Sequence, residues 1–161
     1  MYRSLTLATL LFGIAAVVPA AAGPGATGHD HDMESFSAGQ PGDSKMPARV
    51  VQVVMREDDG KMMFVPKNVE VRKGEQIKFM LRNNGELEHE FVLATHEENL
   101  RHAEAMRKNP DMEHADPNAI RLQAKKAGTI VWKFTQAGSF EFACLIPGHS
   151  ESGMLGTVVV K

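Results

Sequence analysis

Cys144-Leu145-Ile146-Pro147-Gly148-His149-Ser150-Glu151-Ser152-Gly153-Met154 is the stretch on which the reading of this chain turns, because it spaces a thiol, an imidazole and a thioether along one short segment. Pro147-Gly148 and Gly153 are turn residues, so the segment reads as a loop. The residues before it, Ser139 to Ala143, alternate Phe140 and Phe142, and Leu155 to Val160 after it closes the chain with a β-type run. The loop therefore joins two strands and sets Cys144 at the end of one and Met154 just before the other. Cys144 is the single cysteine among 161 residues, so it has no partner for an internal disulfide.

The same grammar of short strands and turns extends upstream. Arg49 to Met55, Met62 to Val65, Asn68 to Val71, Gln76 to Arg82, Glu90 to Thr95 and Gly128 to Phe134 are β-type segments, punctuated by Asp58-Asp59-Gly60, Lys73-Gly74 and Asn83-Asn84-Gly85. Ile77, Phe79 and Leu81 alternate, as do Ile130, Trp132 and Phe134, which puts one face of each strand inward. Short strands at this spacing predict an all-β sandwich. One stretch, about 96–118, interrupts them: Thr95 and Glu98 form a capping box ahead of Leu100, Ala103 and Met106, predicting a helix that Asn109-Pro110 ends.

A cysteine thiolate, two imidazoles and a weak, long axial methionine make up the trigonal site of electron-transfer copper proteins. The loop supplies Cys144, His149 and Met154, and so lacks one histidine. His89 is the best candidate for it, because it opens the apolar strand His89-Glu-Phe-Val-Leu, whose packing beside the Cys144 strand would bring the two ends together. Zinc is the weaker alternative, since it favours four strong ligands and gains little from a thioether.

At the other end of the chain, Arg3 precedes an apolar run from Leu5 to Val18, and Ala20-Ala21-Ala22 offers a cleavage site, so residues 1–22 read as a signal peptide. The run is shorter than the roughly 20 apolar residues of a membrane span, and the expected product is a soluble, periplasmic protein with no membrane partner. Residues 23–47 are rich in Gly, Pro, Ala, Ser and Asp, which predicts a flexible arm carrying His29, His31 and Met33; residues 48–161 form one domain. With 18 basic and 20 acidic residues the formal charge is −2, which argues against nucleic acid or an anionic membrane surface as partner.

From about Pro47 to Lys161 the chain resembles the cupredoxins, the type 1 copper proteins, with His89 early and the Cys144, His149 and Met154 loop late. More narrowly it is similar to the periplasmic plastocyanin/azurin-like proteins of copper resistance, which join a His-Asp-His arm, a Met-Glu-His-x-Asp-Pro-Asn insertion and a Cys-Leu-Ile-Pro-Gly-His loop. The resemblance implies a Greek-key β-sandwich holding one copper, with His149 nearest solvent and facing any redox partner. In one respect the chain departs from the family: the position after the first histidine, often asparagine, is Glu90. That exchange is expected to alter ligand orientation and colour.

Two roles then compete. A mobile electron carrier needs only the copper site and a docking surface. A copper-tolerance protein that sequesters, oxidises or hands on the metal has a use for the further soft donors His29, His31, Met33, His102, Met106, Met112 and His114, and is the favoured reading. His102 and Met106, at i and i+4 on the expected helix, can face one ligand together or leave Met106 packing on the sandwich. A catalytic copper enzyme fits poorly, because such enzymes resemble several linked copper domains and this chain has one.

Overall fold

The computed structural model describes residues 36–109 and 116–161. In its central strand, Gln76–Asn83, the side chains of Ile77, Phe79 and Leu81 are buried while Lys78, Met80 and Arg82 face out. This is the alternation of a sheet with one wet face. In chain order the elements are β1 (Gln40–Pro41), β2 (Arg49–Asp58), β3 (Lys61–Val65), β4 (Asn68–Val71), β5 (Gln76–Asn83), β6 (His89–Ala94), α1 (His96–Lys108), β7 (Ala119–Leu122), β8 (Ala127–Lys133), β9 (Gly138–Ala143) and β10 (Leu155–Val160).

They form two five-stranded sheets, ordered β1-β8-β5-β2-β3 and β4-β10-β9-β6-β7. Most neighbours are antiparallel, but β2 runs parallel to β5 and β10 parallel to β4, because the chain crosses between sheets before returning to the same one. The inner faces meet in a core of Phe64, Phe79, Phe91, Trp132, Phe134 and Phe142. Phe91 and Phe142, on neighbouring strands, stack with ring centroids 5.1 Å apart. Each such side chain taken from water contributes on the order of 1.5–3 kcal/mol.

Strand β6 is buried along its whole length. Its inner face meets the opposite sheet, and its outer face is covered by α1, where Met106 packs with Val92, Ala143 and Leu145. The helix begins as its sequence predicts: the Thr95 hydroxyl accepts from the Glu98 N–H, and the Glu98 carboxylate accepts from the Thr95 N–H.

Two short strands were not anticipated, and one of them corrects the reading of residues 36–47 as part of a flexible arm. From Phe36 onward this segment is bound to the first sheet. Gln40 pairs with Lys133 and Pro41 with Trp132, the Ala38 carbonyl accepts from the Trp132 indole N–H at 3.2 Å, and Phe36 stands edge-on to the Trp132 ring. Gly39, at φ 134°, lies where a Cβ would come 2.2 Å from the Lys133 carbonyl oxygen, so only glycine fits. Composition misjudged the segment because backbone bonds and one aromatic anchor hold it, with little apolar surface of its own. The other short strand is β7, which extends the second sheet beside β6. The signal peptide expected over residues 1–22 and the donors His29, His31, Met33, Met112 and His114 lie outside the described residues.

Candidate metal centre

Three strands of the second sheet carry the expected donors to one end of the sandwich. Antiparallel pairing sets Val92 of β6 opposite Ala143 of β9, and Ala143 opposite Leu155 of β10. The start of β6, the end of β9 and the start of β10 therefore coincide, bringing His89, Cys144 and Met154 to the same edge.

The loop between β9 and β10 is folded back on itself by its own backbone. The Cys144 N–H donates to the Met154 carbonyl at 3.1 Å, and the Met154 N–H donates to the His149 carbonyl at 3.1 Å. The Ser152 hydroxyl donates to the Gly148 carbonyl at 2.7 Å. Gly148 and Gly153 take φ of 89° and 103°, the left-handed region that glycine enters without strain.

Inside this frame the donor atoms of His89, Cys144 and His149 all lie within 4.8 Å of one another. The His149 Nδ1 is 3.3 Å from the Cys144 Sγ and 3.3 Å from the His89 Nδ1. His89, Cys144 and Met154 are fully buried, whereas His149 is half-buried and keeps an edge to solvent. The Met154 backbone is hydrogen-bonded to both Cys144 and His149.

The electrostatics of the cluster suit a cation. Burial pushes the Cys144 thiol up to about 12, although the N–H groups of Glu90 and Ile146 act in the opposite direction. At neutral pH a buried thiol of this kind keeps its proton unless a positive charge takes the proton's place. Burial, then the neighbouring His89, hold the His149 imidazole below its ordinary value, which favours the neutral ring that binds metals. A buried thiol, two facing ring nitrogens and an adjacent methionine fit copper, which takes soft sulfur together with imidazole.

Two residues that the sequence did not single out support the centre. Glu57, at the end of β2 in the opposite sheet, accepts from the His89 Nε2–H at 2.6 Å and from the N–H groups of Glu86 and Leu87 at 2.9 and 3.1 Å. Burial raises its carboxyl, but the donors at Glu86, Leu87 and His89 outweigh that and hold it below the usual range. Asn83, fully buried at the end of β5, donates to the Leu87 and Leu122 carbonyls and accepts from the Gly85 N–H. A signal for Glu57 was present: continuing the inward alternation of Val51, Val53 and Met55 places a carboxylate on the core side, where it calls for a donor.

Glu90 divides its roles. Its backbone N–H donates to the Cys144 Sγ at 3.3 Å, while its buried side chain lies across from Arg121 on β7, at 4.0 Å. Of the further donors expected on the helix, His102 is half-buried and Met106 is fully buried among Val92, Ala143 and Leu145. Of the two alternatives for this pair, Met106 takes the packing one, filling the gap between helix and sheet.

A family model described as copper binding proteins, plastocyanin/azurin family, matches residues 51–161. A copper-resistant cuproprotein CopI of Rubrivivax gelatinosus is 52% identical over 133 residues, covering 83% of this chain and 78% of that protein. The protein of the same name from Vibrio cholerae is 33% identical, covering 83% and 81%. Among solved structures, auracyanin B superposes with a TM-score of 0.62 at 22% identity, over 77% of this chain and 96% of that one, a likeness of fold. The family match over residues 51–161, together with these relatives, leads to one assignment: this chain belongs to the plastocyanin/azurin family of copper-binding proteins, the cupredoxins.

Proposed function

We propose that this chain is an exported copper-resistance protein that holds one copper at His89, Cys144, His149 and Met154. The observation that carries the reading is the convergence of the His89, Cys144 and His149 donor atoms within 4.8 Å of one another at one end of the sandwich. Its relatives named copper-resistant cuproproteins supply the biological direction. Copper held there supplies one-electron exchange between Cu(I) and Cu(II).

The protein's own part is to fix the donors. Cys144 gives up its proton and offers a thiolate shielded from water, and the His89 and His149 rings present Nδ1 toward it. Backbone bonds tie Met154 to Cys144 and His149. His149, with its solvent edge, is the route by which an electron enters or leaves, and the face around it is where a redox partner docks. The expected leader over residues 1–22 sends the chain to the periplasm, and His29, His31, Met33, Met112 and His114 add soft donors for surplus metal. A simple electron carrier is the second reading, favoured by the same half-exposed His149.

Growth across copper concentrations separates the two. A strain lacking the gene is expected to fail at copper levels its parent tolerates, to recover with the intact gene and not with Cys144→Ser. Unchanged tolerance in the deletion strain would sink the resistance role and leave electron transfer.

A further inference from the structure

From the first sheet, Glu57 brings a carboxylate to the centre built by the second. It lies 2.6 Å from the His89 Nε2, on the side of the ring away from Cys144 and His149. An ionised carboxylate only accepts hydrogen bonds, so the His89 proton sits on Nε2 and the Nδ1 lone pair is left facing the cluster. The same carboxylate takes the N–H groups of Glu86 and Leu87. The loop is shaped around it: a Cβ on Gly85 would lie 2.4 Å from both carboxylate oxygens.

We propose that Glu57 is a positioning residue for the copper centre, fixing the tautomer and orientation of His89 and making its Nδ1 a stronger donor. This inference rests on His89 being a copper ligand, as proposed above. A carboxylate behind a ligating imidazole raises the basicity of the ring, and loss of such a partner typically costs about 10–100-fold in metal affinity. The negative charge favours Cu(II) over Cu(I), so Glu57 lowers the reduction potential of the site.

The test compares the full-length parent with Glu57→Gln, which keeps an acceptor for Nε2–H and removes the charge, and with Glu57→Ala, which removes both. Cu(II) and Cu(I) affinities are measured by competition with chelators, alongside the visible spectrum and the potential. Glu57→Gln is expected to lose about tenfold more affinity for Cu(II) than for Cu(I), equivalent to a potential about 59 mV higher. In Glu57→Ala the thiolate-to-copper band shifts as well, because the ring is freed. If the parent shows the band and Glu57→Gln keeps both its spectrum and its potential, whatever happens to thermal stability, Glu57 is only a clamp on the 85–88 loop and the inference is overturned. A parent without the band overturns the ligand assignment beneath it.

Discussion

Asn83 shows how a side chain remote from any metal chemistry shapes the centre. Its oxygen accepts from Gly85 and its amide donates to Leu87, both within the turn that leads into His89, and the amide also donates to the Leu122 carbonyl at the end of β7. Alanine there would leave the Leu87 and Leu122 carbonyls and the Gly85 N–H without that partner, at a cost of about 1–3 kcal/mol for each buried group left unsatisfied. Asn83→Ala is therefore expected to lower the unfolding free energy by about 3 kcal/mol, read as a reduced urea midpoint with an unchanged m-value. A loss below about 0.5 kcal/mol would mean that water replaces the amide. Cys144 stands in contrast: its burial favours the protonated thiol, so the residue is held ready for a metal at the expense of its own ionisation.

At the scale of elements, the junction of β6 and α1 ties the N-terminal segment to the second sheet through Glu98. Its carboxylate accepts from the Thr95 N–H and hydroxyl and from the Ser37 hydroxyl. Burial raises the carboxyl, but these donors prevail and the group stays ionised to lower pH than the unfolded chain's value of 4.5. The folded state thus binds fewer protons in that window. Its contribution is complete above about pH 4.5 and fades as pH falls through the depressed folded value. Glu98→Gln is expected to destabilise the protein by about 1 kcal/mol at pH 7, the difference between charged and neutral hydrogen bonds. That difference should shrink on acidification in parallel denaturation curves; a constant difference from pH 7 to 3 would contradict the account.

Across the whole molecule, what the sequence revealed depended on how local each signal was. The strands around Phe79, Trp132 and Phe142 were legible because strict alternation marks a strand with one buried face, and the capping box marked the start of α1. β7 was missed because four residues, three half-buried and only Leu122 fully so, carry too little pattern, and β1 because two residues held by backbone bonds and by Phe36 leave almost none. The metal loop was legible for the same reason as the strands, since Cys144, His149 and Met154 are neighbours in sequence. His89 needed one step of strand pairing, and Glu57 was missed because its partner lies in the other sheet, 32 residues away. The central claim is that these separate signals converge on a single copper centre, and titration of the purified parent and Cys144→Ser proteins with Cu(II) tests it most directly. The account predicts an intense thiolate-to-copper absorption band in the parent that saturates at one equivalent and is absent from a folded Cys144→Ser protein. Copper binding by the parent without that band, or persistence of the band in Cys144→Ser, would contradict it.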